Sequence, residues 1–131
     1  MGRRKSSTFT EVELEFMQVI WTAGEATTDH VQKELKGRGR NLSDGSIRKI
    51  LSILITKGHL TRRRNGRAFI YKPAVREGQS HRNMVQDLVK RAFGGSAGLM
   101  VAALFDSDAL NDRDLKEIKR LIAQHEKEED Q

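Results

Sequence analysis

The sequence lacks the residues on which several kinds of chemistry depend. None of its 131 residues is cysteine, so disulfides, thiolate metal sites and cysteine nucleophiles are excluded. Aromatic residues make up 5%, and the single proline is Pro73. The longest apolar run, from Leu99 to Phe105, is far too short to cross a bilayer. We therefore expect a soluble, cytoplasmic protein with a modest core.

Catalytic and cofactor motifs are also missing. The sequence contains no G-x-S-x-G, Walker loop, H-E-x-x-H or dinucleotide fingerprint. Its carboxylates gather at helix starts and in the C-terminal tail, where capping and solubility explain them. The histidines are scattered without metal-ligand spacing, at His30, His59, His81 and His125. The sequence thus predicts a protein that is not an enzyme, with no metal site, cofactor or small-molecule ligand.

Positive charge, in contrast, is abundant and unevenly distributed. The net charge of the chain is +6, but residues 1–76 carry +9 and residues 77–131 carry −3. A basic part joined to a mildly acidic part suggests that the first binds a polyanion and the second has another role. An uneven but merely solvated surface is the alternative.

Residues 9–57 have the pattern of three short helices. A T-x-x-E capping box over residues 10–13 begins the first helix. The second begins after Thr27 or Thr28, and the third after Ser43, because these hydroxyl side chains are good N-caps. The buried face of the first helix is predicted to contain Leu14, Met17 and Trp21, with Val12 and Ile20 beside them.

A β-hairpin is predicted to follow the third helix. Asn65 and Gly66 are the strongest two-residue turn signal in the chain. If they form the turn, Arg64 lies opposite Arg67. Like charges facing each other destabilise a hairpin, so this arrangement suggests an external anion such as DNA phosphate. Long arginines that splay into water are the alternative.

Three helices and a hairpin, in this order, form a winged helix-turn-helix, whose third helix enters the major groove of DNA. Its inner face is predicted at positions 47, 50, 51 and 54. The DNA-contacting residues expected on the recognition helix are Ser43, Gly45, Ser46, Arg48, Lys49 and Ser52. Those expected on the wing and on the basic loop before the helix are Arg38, Arg40, Arg62, Arg63, Arg64 and Arg67.

Beyond Glu77 the pattern is purely helical, and the stretch from Leu99 to Phe105 is apolar on nearly every face. Three short helices offer too little core to bury such a stretch. We therefore expect a homodimer. The alternative is that these helices fold back on the winged helix-turn-helix part of the same chain. The predicted dimer contacts are Val85, Leu88, Leu99, Met100, Ala103, Leu104, Leu115, Ile118 and Ile122.

The predicted fold is mainly α with a small β-hairpin wing: a winged helix-turn-helix head plus a C-terminal helical dimerisation region. Residues 1–8 are predicted to be a flexible basic arm, residues 9–76 the DNA-binding domain and residues 77–131 the dimerisation domain. Double-stranded operator DNA and a second copy of the chain are the expected partners. Two other functions stay open: a non-specific architectural DNA-binding protein and a protein-interaction adaptor.

Several segments together resemble the BlaI/MecI family of penicillinase repressors, over about residues 9–122. They are F-T-E-V-E-L-E-F-M-Q-V-I-W at residues 9–21, L-S-D-G-S-I-R-K-I-L at 42–51, K-G-H-L-T-R at 57–62, F-I-Y-K at 69–72 and F-G-G at 93–95. The resemblance implies a homodimeric winged-helix repressor that binds dyad-symmetric promoter operators.

The same resemblance implies release from DNA by proteolysis within the dimerisation region. It also implies a membrane metallopeptidase sensor, or a protease downstream of it, as a partner. Two departures limit these expectations. The Asn-Phe bond cut in well-studied members is absent, because Leu104 precedes Phe105. Copper sensing through a cysteine-rich tail is excluded, since the chain has no cysteine.

Overall fold

The computed structural model describes residues 9–130. The basic arm predicted at residues 1–8 lies outside that range. In chain order the elements are α1 (Glu11–Ala23), β1 (Ala26–Thr27), α2 (Thr28–Gly37), α3 (Asp44–Thr56), β2 (Leu60–Asn65), β3 (Ala68–Pro73), α4 (Glu77–Ala92), α5 (Ala97–Asp106) and α6 (Asp112–Glu129). The predicted order of helix, helix, helix, hairpin and helical tail is confirmed.

Helix α1 begins and ends where its capping residues predict. The Thr10 hydroxyl accepts a hydrogen bond from the Glu13 backbone N–H, and the Glu13 carboxylate accepts one from the Thr10 N–H at 2.9 Å. This reciprocal pair satisfies two N–H groups that a helix start leaves open. At the other end Gly24 has φ +85°, a left-handed conformation that favours glycine.

The buried face of α1 is broader than predicted and centred elsewhere. Met17 is buried as expected, but Leu14 and Trp21 are only half-buried. Ile20, predicted beside them, is buried, and so are Phe16 and Val19, which were not predicted. The reason is that α1 packs against α2, α3 and β3 together, so several faces of the helix meet the core. The other buried apolar residues are Ala26, Val31, Leu35, Ile47, Leu51, Leu54, Leu60 and Tyr71.

The hairpin belongs to a three-stranded antiparallel sheet with the order β1-β3-β2. Strand β1 pairs with β3 through Ala26 opposite Tyr71 and Thr27 opposite Ile70. We did not predict this strand, because two residues are too few to show the alternation by which strands are recognised. Its effect is to make β3 the central strand and to join the hairpin to the end of α1.

The predicted turn is wrong by one residue, and the predicted pairing is therefore wrong by two. Asn65 pairs with Ala68, so the loop residues are Gly66 and Arg67 rather than Asn65 and Gly66. Gly66 has φ +65°, and every residue with positive φ in the described range is a glycine. A type I′ turn at Asn65 and Gly66 would need positive φ at both residues. Asn65 does not have positive φ and lies in the strand instead. Arg64 therefore lies opposite Phe69, not opposite Arg67.

The chain packs as two compact units, and the first of them ends at Asp87. In that unit the start of α4 contributes Ser80, which is buried, and His81, whose ring lies 6.0 Å from that of Trp21. The functional division expected after Arg76 stays a prediction. In the second unit, neither α5 nor α6 buries any described residue. Within residues 9–130 no single helix is long and apolar enough to span a membrane; α4 and α5 pass that test only as a bent pair.

A nearly buried ion pair joins α1 to the end of α3. The Lys57 Nζ donates to Glu13 Oε1 at 2.7 Å, and Glu13 is only 5% exposed. Burial raises the pKa of the Glu13 carboxyl, but the hydrogen bonds from Lys57 and from the Thr10 backbone outweigh this and hold that pKa below its ordinary value. Glu13 thus caps its own helix and also anchors α3.

We predict that Glu13→Gln lowers the free energy of unfolding by about 1–3 kcal/mol at pH 7, because a charge-assisted pair is lost inside the head. Glu11→Gln is the matched control: it removes the same charge from the same helical turn, where it is exposed, and should cost less than about 1 kcal/mol. Urea unfolding at fixed protein concentration measures both.

The pH dependence has a definite sign. Because the folded-state pKa of Glu13 is lowered, its contribution is complete above the ordinary pKa of 4.5 and is lost as pH falls through the folded-state value. The stabilities of wild type and Glu13→Gln should therefore converge in acid. A difference that persists at a pH below both pKa values would contradict this account.

Candidate nucleic-acid interface

Helix α3 has one polar face that points away from the core of the head. Ile47, Leu51 and Leu54 are buried, and this commits the opposite side of the helix to the outside. Ser43 caps the helix by accepting from the Ser46 N–H at 3.2 Å, and Ser46 is half-buried. The other predicted contacts on this helix are all exposed: Gly45, Arg48, Lys49 and Ser52. The hydroxyl of Ser43 is thus occupied in capping, whereas Arg48 and Lys49 project freely.

The arginines of β2 are divided between the two faces of the wing. Successive side chains of a strand point to opposite sides, so Arg62 and Arg64 share one face and Arg63 lies on the other. The guanidinium carbons of Arg62 and Arg64 lie 4.3 and 5.4 Å from the centre of the Phe69 ring. Such cation–π contacts orient the guanidinium planes while leaving their N–H groups available.

A cleft brings the recognition helix and the wing together. Arg48 of α3 lines it with Arg62 and Arg67 of the hairpin. The remaining lining residues come from the start of α2 and from β3: Thr27, Thr28, Asp29, Ala68, Phe69 and Tyr71. Of these we predicted none as part of the site. The predicted hairpin already implied that Phe69 shares a face with Arg62, but Phe69 was not included in the site. No sequence pattern assigned Thr28 or Asp29 to it.

Arg63, in contrast, is held by a carboxylate. Its two terminal nitrogens donate to the two oxygens of Glu25 at 2.8 and 3.0 Å, a bidentate geometry. The hydrogen bond from Arg63 holds the pKa of Glu25 below its ordinary value, with a further contribution from the charge of Lys72. The predicted phosphate contact of Arg63 would have to compete with this pair.

The basic loop is likewise tied back to the head. Arg40 donates to the Glu15 carboxylate at 2.7–2.8 Å, and Arg38 contacts the Gln18 amide oxygen at 3.4 Å. Neither arginine lines the cleft that contains Arg48. The structure thus leaves the predicted DNA contacts of Arg38 and Arg40 without geometric support and brings Arg48, Arg62 and Arg67 together.

The surface predicted for dimerisation is exposed in the single chain. The most open of its side chains include Leu99 and Ile122, at 59% and 53%. Val85, Leu88, Ala103 and Leu104 are also exposed, while Met100, Leu115 and Ile118 are half-buried. The prediction omitted three further exposed apolar residues: Val101, Phe105 and Leu121.

Among residues 9–130, no cluster of three or more histidine or carboxylate side chains could hold a metal ion. The fold, the projecting face of α3 and the arginine-lined cleft instead define a winged-helix DNA-binding protein. Comparison with known proteins identifies the kind. The penicillinase repressor family model matches residues 9–124, and the chain belongs to that family.

Individual relatives agree with this assignment. The penicillinase repressor of Bacillus licheniformis is 29% identical over 122 residues, which cover 93% of this chain and 94% of the relative. The methicillin resistance regulatory protein MecI of Staphylococcus aureus is 20% identical over 90% of this chain and 95% of its own length. The solution structure of the DNA-binding domain of the repressor BlaI matches with a TM-score of 0.51 and 36% identity, over 57% of this chain and 90% of that domain.

The predicted family and fold class are therefore confirmed. The chain is a DNA-binding transcriptional repressor and not an enzyme, as its family membership shows. The individual DNA-contacting and dimerisation residues stay predictions, because a family match does not identify which side chains touch DNA.

The new register makes a prediction about the turn. Gly66→Ala should destabilise the head by about 1–2 kcal/mol, because φ +65° is unfavourable for an L side chain. Gly37→Ala is the control: Gly37 has an ordinary φ and open space around it, so alanine there should be neutral or stabilising. Urea unfolding of both variants measures the difference, and equal stabilities would contradict the assigned turn.

Proposed function

We propose that the protein is a homodimeric repressor that binds a dyad-symmetric promoter operator in the cytoplasm. Each head binds one half-site, with α3 in the major groove and the wing against the flanking backbone. The observation that carries this proposal is the cleft in which Arg48 of α3 lies beside Arg62 and Arg67 of the wing. One stretch of duplex can therefore meet all three guanidinium groups.

The residue types on these elements suit distinct kinds of contact. Arg48 lies one turn into α3, where a guanidinium can bind guanine O6 and N7 bidentately. Gly45 has nothing within 4 Å of where a Cβ would stand, so the backbone there can approach DNA closely. Lys49 and Ser52 are placed for phosphate or base contacts, together with the helix N-terminus around Ser46.

The wing supplies charge that is already oriented. Arg62 and Arg64 lie over the Phe69 ring, so fewer side-chain conformations are lost when DNA binds. Arg67 occupies the tip of the turn. These contacts neutralise phosphates and carry little sequence information, whereas α3 provides the discrimination between operators.

The proposed dimer follows from the apolar surface of the tail. Leu99, Leu104 and Phe105 on α5, with Leu121 and Ile122 on α6, are all exposed in the single chain. Exposed apolar surface of this extent marks an interaction site. A second copy of the chain would cover it and would hold two heads over adjacent half-sites at high effective concentration.

Release by proteolysis in this region is consistent with the same arrangement. A cut within α5 would separate α6 from the head without altering α3 or the wing. Operator affinity would then fall because the heads would bind singly. Peptide bonds other than Asn-Phe would be the target, given Leu104 and Phe105 at that position. A membrane metallopeptidase sensor or a downstream protease is the proposed partner for this step.

Sequence preference separates a repressor from an architectural protein. The test uses a duplex selected from a random-sequence library by the full-length chain, here called the selected duplex, and a shuffled duplex of the same composition. A repressor is expected to bind the selected duplex at least about a thousandfold more tightly than the shuffled duplex. Equal affinities would favour an architectural role, and no salt-dependent binding to either duplex would favour a protein-interaction adaptor.

For base recognition we predict that Arg48→Ala weakens binding to the selected duplex by about 1–3 kcal/mol and relaxes preference at one base position. Lys119→Ala is the control, since it removes one positive charge from exposed α6. Its effect on either duplex should be small. Equal losses on the selected and shuffled duplexes for Arg48→Ala would make Arg48 a phosphate contact instead.

For dimerisation we predict that Leu104→Asp makes the protein monomeric at micromolar concentration, because an unpaired carboxylate inside an apolar interface is costly. Gln124→Asp introduces the same charge on α6, at a position that is exposed and already polar, and should leave the dimer intact. Sedimentation equilibrium measures both variants. A dimeric Leu104→Asp variant, or a monomeric wild type, would refute the proposed interface.

A further inference from the structure

Glu25 contacts the wing from outside the cleft, at a position no pattern in the sequence indicated. We infer that Glu25 is a positioning residue for DNA binding: through Arg63 it sets the angle at which the wing presents Arg62 and Arg64. This inference rests on the proposed function and assigns Arg63 to the support of the wing rather than to DNA.

Arg63 lies on the face of the wing that points away from the cleft. Strand alternation puts its side chain opposite to those of Arg62 and Arg64, which stack on Phe69. Arg62 lines the cleft shared with Arg48, and Arg63 does not. A duplex held in that cleft would meet Arg62 and leave Arg63 on the far side of the sheet.

The ion pair between Arg63 and Glu25 connects the two edges of the sheet. Arg63 belongs to β2, the outer strand in the order β1-β3-β2, and Glu25 directly precedes β1 at the opposite edge. The ion pair therefore spans the whole sheet. Glu25 also follows Gly24, whose N–H bonds to the Ile20 carbonyl at the end of α1 at 2.8 Å. The pair thereby links β2, the outer strand of the wing, to the end of α1.

The geometry of the pair is bidentate. Two parallel N–H···O bonds at 2.8 and 3.0 Å fix both the distance and the plane of the guanidinium. Both side chains are half-exposed, so the pair contributes little to overall stability. Its effect is on orientation: without it the wing can tilt about its base, and the arginines over Phe69 are no longer held beside Arg48.

Two kinds of loss can be told apart by their salt dependence. A residue that touches phosphate lowers affinity for every duplex and reduces the salt slope by about 0.9 per contact when it is removed. A residue that only orients the wing makes no phosphate contact of its own. Removing it leaves the cations that contact phosphate, and so the salt slope, in place, and weakens binding to the selected duplex, on which the wing must lie beside Arg48. We expect the second behaviour for Arg63 and Glu25, and the first for Arg64.

The experiment titrates the full-length chain and its variants with the selected and shuffled duplexes at several salt concentrations. Glu25→Gln and Arg63→Gln should each weaken binding to the selected duplex by about threefold to tenfold, with the salt slope of wild type. Arg64→Gln, on the neighbouring position of the same strand, is the matched control and should lower the slope. The exchanged pair, Glu25→Arg with Arg63→Glu, should recover most of the lost affinity.

Amide hydrogen exchange of the free protein tests the inference without DNA. Exchange in β2 should accelerate in Glu25→Gln and Arg63→Gln and return towards wild type in the exchanged pair. Unchanged exchange in Glu25→Gln, or a salt slope for Arg63→Gln as low as that of Arg64→Gln, would overturn the inference. If wild type does not prefer the selected duplex, the proposed function fails, and the exchange data still decide the role of Glu25.

Discussion

The burial of one face of α3 is the constraint on which the DNA-binding surface depends. Ile47, Leu51 and Leu54 are packed into the core formed by α1, α2 and the sheet. Because a helix has a fixed period, burying these residues forces Arg48 and Lys49 to project outward. The outward position of these charges is thus a consequence of apolar packing, and a change that loosened the core would also misdirect the residues proposed to contact DNA.

The hairpin shows how cross-strand neighbours depend on register. The observed pairing is displaced by two residues from the predicted one, so each side chain keeps its face but has a different partner. With the turn at Gly66 and Arg67, Arg64 lies opposite Phe69 and no longer opposite Arg67. With the predicted turn, a clash between arginines required an outside anion to relieve it. The observed register removes the clash, so the case for DNA binding by the wing now depends on the shared cleft.

Local patterns in the sequence were sufficient for the helices and insufficient for the site. The caps at Thr10, Thr27 and Ser43 depend on side chains within three residues of each helix start, and all were predictable. Strand β1 and the pairing of Arg63 with Glu25 depend on residues that are distant in sequence. Residue types and spacing carry no direct information on such contacts, which explains why the fold was predicted and the internal partners of Arg38, Arg40 and Arg63 were not.

Three acidic residues of the head pair with cations that would otherwise be open to DNA. Glu13 holds Lys57, Glu15 holds Arg40 and Glu25 holds Arg63. A repressor made only of free basic residues would bind any duplex tightly, since phosphate contacts do not distinguish sequences. Pairing some cations internally lowers that indiscriminate attraction, and it uses the same charges to brace α3, the loop and the wing. Under the proposed function, these three carboxylates, which lie outside the arginine-lined cleft, would therefore favour specific over indiscriminate binding.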